Sequence, residues 1–293
     1  VCTLTLAWQE FENTPLAVAA NRDEALGRPA DPPGVYRTEP RVIAPRDASA
    51  GGTWIGYNAY GLFVAITNRW VEREGARSRG LLVADALGLS SASAAVDRVR
   101  EAVTTETYAG FNLVVADADR AVLLEYDGNL RVTDLDPGVH VVVNVGADGR
   151  FFEPDHRPDV GRQQADNAEA VRAALRVDDP AESLSTADDN ATHPPSADDG
   201  DRGHDDDTAP PLPSADSDRD SADPAADWLA HAARVLGDHA FGVCVHGDGF
   251  GTRSASLIAV GRPKADEPTP PDRYWFADGP PCRTRFQRVE SRL

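Results

Sequence analysis

Along most of the chain, apolar residues come in short runs separated by turn formers, a pattern of strands more than of long helices. Residues 2–8 begin as such a run, and residues 15–20 repeat it after a turn around Glu12-Asn13-Thr14. Two neighbouring strands with so short a connection predict an antiparallel hairpin. Further strands are expected at 41–44, 53–56 and 61–67, the last two joined by Tyr57-Asn58-Ala59-Tyr60. Residues 111–116, 121–126, 130–133 and 139–143 read as a meander, with Asp127-Gly128-Asn129 as one turn. Helices are expected at 79–87, 91–103, 159–175 and 225–236. The second places Ala92, Ala95, Val96, Val99 and Val103 on one face behind a starting serine. Strands, two helices, strands, two helices, strands is the order of an α+β fold. It predicts antiparallel sheets, two of them sandwiched between helix layers.

Charge then divides the chain. The formal net charge is −19 over 293 residues, and residues 178–227 alone hold fifteen Asp, one Glu and two Arg. About three quarters of the negative charge therefore sits in one stretch of Asp, Ser, Ala, Pro, Thr and Gly, with Leu184 and Leu212 its only large apolar residues. Such a segment buries too little surface to offset its ordering entropy, so it is expected to be a disordered insertion interrupting a single domain over 1–293. The sequon Asn190-Ala191-Thr192 within it is read as chance. An acidic balance argues against nucleic acid and against an anionic membrane surface as partners. No apolar run approaches a membrane span, and no basic-then-apolar leader opens the chain. Cys2, Cys244 and Cys282 cannot close a disulfide framework and match no zinc spacing, which fits a reducing, cytoplasmic setting. The seven histidines show no ligand spacing either. His140 and His246 are placed within strands, and no metal or cofactor is expected. One lysine (Lys264) among 29 basic residues, with 34 Asp against 14 Glu, points to a salt-loving organism.

Candidate chemistry starts from a missing residue type: the sequence contains no methionine and begins Val1-Cys2. Val1 is expected to stand for an initiator methionine read from a GTG codon, whose removal would make Cys2 the N-terminal residue. A free N-terminal cysteine carries a nucleophilic thiol and, on the same residue, an α-amine able to act as general base. Asn21-Arg22-Asp23-Glu24 ends the strand beside it. The Asp23 carboxylate can hold the amine, and the Arg22 guanidinium can favour thiolate. Asn68 and Asn144 close two apolar strands, where a side-chain amide can serve as oxyanion donor or simply form an Asx turn. Arg253 enters the last long strand and can face the same cleft. Gly247-Asp248-Gly249-Phe250-Gly251 is read as a hairpin loop between strands, not a phosphate cradle, and Cys244 as buried core.

Taken together, several ordered motifs resemble the NRDE family, the family of the eukaryotic transport and Golgi organisation protein 2. They are Val1-Cys2-Thr3-Leu4, Asn21-Arg22-Asp23-Glu24, Gly51-Gly52-Thr53-Trp54-Ile55-Gly56, Ile66-Thr67-Asn68-Arg69, Ser78-Arg79-Gly80, Gly110-Phe111-Asn112-Leu113 and Gly251-Thr252-Arg253-Ser254. That family is similar to N-terminal nucleophile (Ntn) hydrolases of the Cys-headed bile-salt hydrolase and penicillin V acylase group. The resemblance implies a four-layer αββα sandwich with Cys2 as nucleophile and Asp23 as partner of its amine. It further implies Asn144 and Asn68 as oxyanion donors, Arg22 beside the thiol, and Arg253 as a late-strand arginine. The expected activity is cleavage of a small non-peptide amide or related acyl bond. The alternative that the resemblance implies is a binding or carrier protein for haem or acyl-CoA on the same fold.

Overall fold

Each strand of the N-terminal hairpin alternates between two buried faces, and this alternation decides what surrounds Cys2. The computed structural model describes residues 2–177, 223–262, 272–290 and 293. Residue 1 and residues 178–222 of the acidic insertion lie outside the described residues. Residues 223–227, expected as the insertion's end, instead cap and open a helix, Asp223 accepting from Ala225 N and Ala226 N. The hairpin is β1 (Thr3–Phe11) and β2 (Thr14–Ala25), followed by β3 (Ala30–Thr38), β4 (Arg41–Asp47), β5 (Ile55–Asn58) and β6 (Phe63–Asn68). Helices α1 (Arg79–Ala86) and α2 (Ala92–Thr105) come next. Then follow β7 (Phe111–Ala116), β8 (Ala121–Tyr126), β9 (Leu130–Asp134) and β10 (Gly138–Val143). The short β11 (Gly146–Ala147) and β12 (Arg150–Phe151) precede α3 (Pro158–Ala174) and α4 (Pro224–Gly237). Strands β13 (Phe250–Val260), β14 (Asp272–Ala277) and β15 (Gln287–Arg288) complete the described elements.

One sheet runs β12-β11-β10-β1-β2-β13-β14-β15 and the other β3-β4-β5-β6-β7-β8-β9, with antiparallel neighbours throughout. Three apolar cores separate the layers. Leu4, Leu6, Leu16, Val18 and Ile258 of the first sheet meet Ile43, Ile55, Phe63 and Val114 of the second. On its other face the first sheet packs Ala17, Ala19, Val141 and Leu257 against Val171 of α3 and Leu229 and Ala232 of α4. The second sheet packs Val64, Leu113 and Leu124 against Leu82 of α1 and Val96 of α2. The result is the expected αββα sandwich. Ser78 and Ser91 cap the two helices of one outer layer by accepting from Gly80 N and Ala94 N.

Three expectations change. Strand β10 does not continue the meander of β7 to β9; it crosses to the first sheet and pairs with β1, Leu4 opposite Val142. Its residues are buried on both faces, so alternation carries no instruction about which sheet it joins. Strand β3 escapes a pattern-based reading because Pro32 and Pro33 interrupt it. It lies at a sheet edge, with register shifts between Asp31 and Gly34, where proline is tolerated. His246 lies in an irregular loop, not in a strand.

Candidate active site

Strand β1 lies between β10 and β2, so Cys2, the residue just before it, is reached from both sides. Leu4, Leu6 and Trp8 face the space between the sheets, and the same parity turns Cys2 toward that space. The backbone N–H of Cys2 donates to Asn144 Oδ1 at 3.2 Å, and its Sγ lies 3.6 Å from the Asp23 carbonyl oxygen. Its thiol is held above the usual cysteine range. Burial is the main cause and the Asp23 charge adds to it, while the Arg22 guanidinium pulls the other way.

Alternation along β2 distributes the Asn21-Arg22-Asp23-Glu24 cluster. Asn21 turns toward the helices, where its Nδ2 donates to Leu236 O and Val243 O. Arg22 turns into the cleft, 8% exposed, its guanidinium 4.0 Å above the Trp54 ring. Nη2 lies 3.5 Å from Glu24 Oε2, and Nη1 is buried with no hydrogen-bond partner among the described residues. Asp23 is buried, and Oδ1 accepts a 2.6 Å hydrogen bond from Thr252 Oγ1. Burial raises its pKa, and that hydrogen bond opposes the rise.

A cavity with about 140 Å³ of free space opens in front of Cys2. Arg22, Trp54, Asn68, Arg79 and Ser254 are among the side chains that line it. Arg79 enters because the start of α1 is pressed against residues 52–53. Thr53 N donates to Gly80 O at 3.1 Å, and a Cβ on Gly52 would stand 2.3 Å from Gly80 C, so only glycine allows this approach. Arg79 Nη1 donates to Gly110 O at 2.7 Å, and burial lowers its pKa.

The structure therefore brings Cys2, Arg22, Asp23, Asn68 and Asn144 together, in unequal roles. Asn68 is exposed at the cavity wall. Asn144 is 2% exposed behind Cys2, outside the cavity lining. Its Oδ1 also accepts from Gln164 Nε2 at 3.0 Å, and its Nδ2 donates to Asn68 O at 2.7 Å. Arg253 stands apart. The β2–β13 register shifts between Thr252 and Ser254, and Arg253 Nη1 pairs with Asp278 Oδ1 at 2.8 Å. Its neighbour Thr252 is the β13 residue that touches Asp23.

Sequence reasoning passed over Arg79, Thr252 and Gln164. Arg79 and Thr252 fall inside motifs already noted, but nothing local separates Thr252 from Arg253. Gln164, on α3, carries no local signal at all. A second convergence of side chains was also missed. His239, Cys244, His246 and Cys282 bring ligand atoms within 4.8 Å of one another, although their spacing along the chain resembles no metal motif.

Comparison with known proteins adds the following. Residues 1–265 match the family model described as Transport and Golgi organisation 2. A Transport and Golgi organization protein 2 homolog of Bos taurus is 35% identical over 121 residues, 39% of this chain and 44% of that protein. The Homo sapiens homolog is 31% identical over 139 residues, 44% of this chain and 50% of that protein. The matched stretch thus spans half or less of these relatives' length. Among solved structures, penicillin V acylase from Agrobacterium tumefaciens is similar with a TM-score of 0.44 and 13% identity, covering 100% of this chain and 99% of that one. The C2A mutant of conjugated bile acid hydrolase from Clostridium perfringens has a TM-score of 0.39 and 12% identity, covering 100% and 97%.

Proposed function

This chain belongs to the Transport and Golgi organisation 2 family, and from that premise and the surroundings of Cys2 we propose a hydrolase of a small non-peptide amide or related acyl bond. One observation carries the reading. The residue at the head of the central strand presents its sulfur beside a cavity walled by Arg22 and Arg79, while its main-chain nitrogen is held by Asn144 Oδ1. Once residue 1 is removed, that nitrogen is an α-amine beside the thiol it must deprotonate.

The steps follow from these positions. The thiol proton passes to the α-amine, and the thiolate attacks the substrate carbonyl carbon. Negative charge moves to the carbonyl oxygen, where the Asn68 amide and the cleft guanidiniums can stabilise it. The C–N bond then breaks, the leaving amine takes the proton from the α-ammonium, and the acyl group remains on Cys2 as a thioester. Water adds to the thioester carbonyl, giving its proton to the amine. The carboxylic acid departs and the thiol is restored. Asn144 orients the amine in this scheme; with its amide engaged by Cys2, Gln164 and Asn68, it is a positioning residue. The unpartnered Nη1 of Arg22 favours substrates that offer a carbonyl or carboxylate oxygen close to the scissile bond.

Mass spectrometry of the native N-terminus, followed by incubation with an activated acyl ester, tests the reading. The expected result is a chain starting at Cys2 that gains one acyl group on that residue, with Cys2→Ala gaining none and losing at least about 10³-fold in turnover. Retention of residue 1, or undiminished turnover in Cys2→Ala, removes the mechanism. Tight stoichiometric binding of haem or acyl-CoA without acylation of Cys2 would instead favour a carrier.

A further inference from the structure

We propose that His239, Cys244, His246 and Cys282 bind one zinc ion in a closed, structural site, independent of the reaction at Cys2. The four residues come from three segments: a single helical turn after α4 (His239–Phe241), the loop that follows it, and a turn near residue 282. The three distances that meet at His246 Nε2 match edges of a coordination tetrahedron, and all four ligand atoms lie within 4.8 Å of one another. Zinc bonds of about 2.0–2.1 Å to nitrogen and about 2.3 Å to sulfur give tetrahedral edges of roughly 3.3 Å between nitrogens and roughly 3.5 Å between nitrogen and sulfur. The structure has 3.2 Å between His239 Nε2 and His246 Nε2. It has 3.6 Å from Cys244 Sγ and 3.3 Å from Cys282 Sγ to that same His246 Nε2.

Hydrogen bonding does not account for this packing. A ring nitrogen carries either one proton or one lone pair, so His246 Nε2 can satisfy one of its three neighbours, not all three. A cation at the centre satisfies all four ligands at once. Charge balances too: two thiols lose their protons to solvent on binding, and two thiolates with two neutral imidazoles leave a zinc site of zero net charge. Thiolate and imidazole in a four-ligand set with no open position select zinc in a structural role. Cys244 is 6% exposed, whereas both histidines lie at the surface and leave a route for the ion.

The backbone is shaped to hold this cluster. A Cβ on Gly237 would stand 3.3 Å from Cys282 N, so glycine at the end of α4 lets the second cysteine approach. Gly242, at φ 64°, closes the turn that carries His239. Between Cys244 and His246, Val245 donates from N to Thr252 Oγ1 at 2.8 Å and accepts from Thr252 N at 2.8 Å. Thr252 in turn holds Asp23. The ion would thus tie the loop behind Asp23 to the C-terminal turn.

Cobalt titration of the full chain, stripped by chelator under reducing conditions, tests the site. One equivalent should give the visible bands of tetrahedral Co²⁺ with thiolate-to-metal charge transfer, and one equivalent of Zn²⁺ should abolish them. Cys2→Ala should behave as the unmodified chain, while Cys244→Ser and Cys282→Ser should each weaken zinc by more than about 100-fold. Because those variants can fail to fold, alkylation of the unmodified chain gives a second readout: zinc should protect Cys244 and Cys282 and leave Cys2 reactive. Absent cobalt bands, an octahedral spectrum, bands that zinc does not displace, or a Cys244–Cys282 disulfide forming equally fast with and without zinc would each overturn the proposal.

Discussion

Asn144 shows how one buried carboxamide can tie three segments together behind Cys2 without touching the cavity. It accepts from Cys2 N and Gln164 Nε2 and donates to Asn68 O, so its loss strands polar groups on three segments. Asn144→Ala should destabilise by about 1–3 kcal/mol in urea unfolding. It should also slow acyl transfer by about 10- to 100-fold, because the amine loses its holder. Asn144→Asp keeps the acceptor and should recover most of the transfer rate, while the contact to Asn68 stays broken. At this scale the sequence revealed much: Cys2, Arg22, Asp23 and Asn68 were all singled out, and all surround the cavity. What it could not show is side-chain direction at β13, where a register shift turns Thr252 toward Asp23 and leaves Arg253 to Asp278.

Among the elements, β10 is the one on which the site depends and the one that patterning misplaced. Its position beside β1 sets Asn144 behind Cys2. It is fastened by His140, whose Nδ1 lies 2.7 Å from Asp148 Oδ2 in the turn between β11 and β12. Burial alone would lower the His140 pKa, but the Asp148 carboxylate outweighs it, and the net direction is up. For Asp148, burial pushes up, but the His140 contact, the Val141 N–H and the Arg172 charge together pull down further, and the net direction is down. The stabilisation from His140 is therefore complete below the ordinary imidazole range near 6.5 and fades as pH rises through its raised value. That from Asp148 is complete above the ordinary carboxylate range and fades as pH falls through its lowered value. Urea midpoints should decline as pH rises from about 6.5 through the raised His140 value, and Asp148→Asn should flatten that decline while lowering stability by about 1–3 kcal/mol near pH 6. Helices 79–87 and 91–103 were legible because each buries one face and starts on a capping serine. Strand β3 was not, since its prolines contradict the strand pattern everywhere except at an edge.

For the whole molecule, α3 and α4 stand on either side of the long acidic connection and pack on one face of the first sheet. The described contacts that dock α4 on the end of α3 lie outside that connection: Trp228 Nε1 donates to Leu175 O at 2.9 Å, and His231 Nε2 lies 3.0 Å from Ala174 O. Replacing residues 178–222 with a short Gly/Ser linker removes thirteen Asp, one Glu and two Arg. It should leave the melting temperature within about 2–4 °C and the acyl transfer rate unchanged. A larger drop would mean that the acidic segment contributes contacts to the core.

The sequence by itself determined the layer order, the nucleophile candidate and the family, because these rest on periodicity and on contiguous motifs such as Asn21-Arg22-Asp23-Glu24. Tertiary structure alone decided three things. It moved β10 to the first sheet, since a strand buried on both faces offers no alternation to read. It gave Arg79 and Thr252 their places, since the Gly52–Gly80 approach and the β13 register shift exist only once strands pair. It gathered His239, Cys244, His246 and Cys282 from three segments, a proximity that no linear spacing encodes.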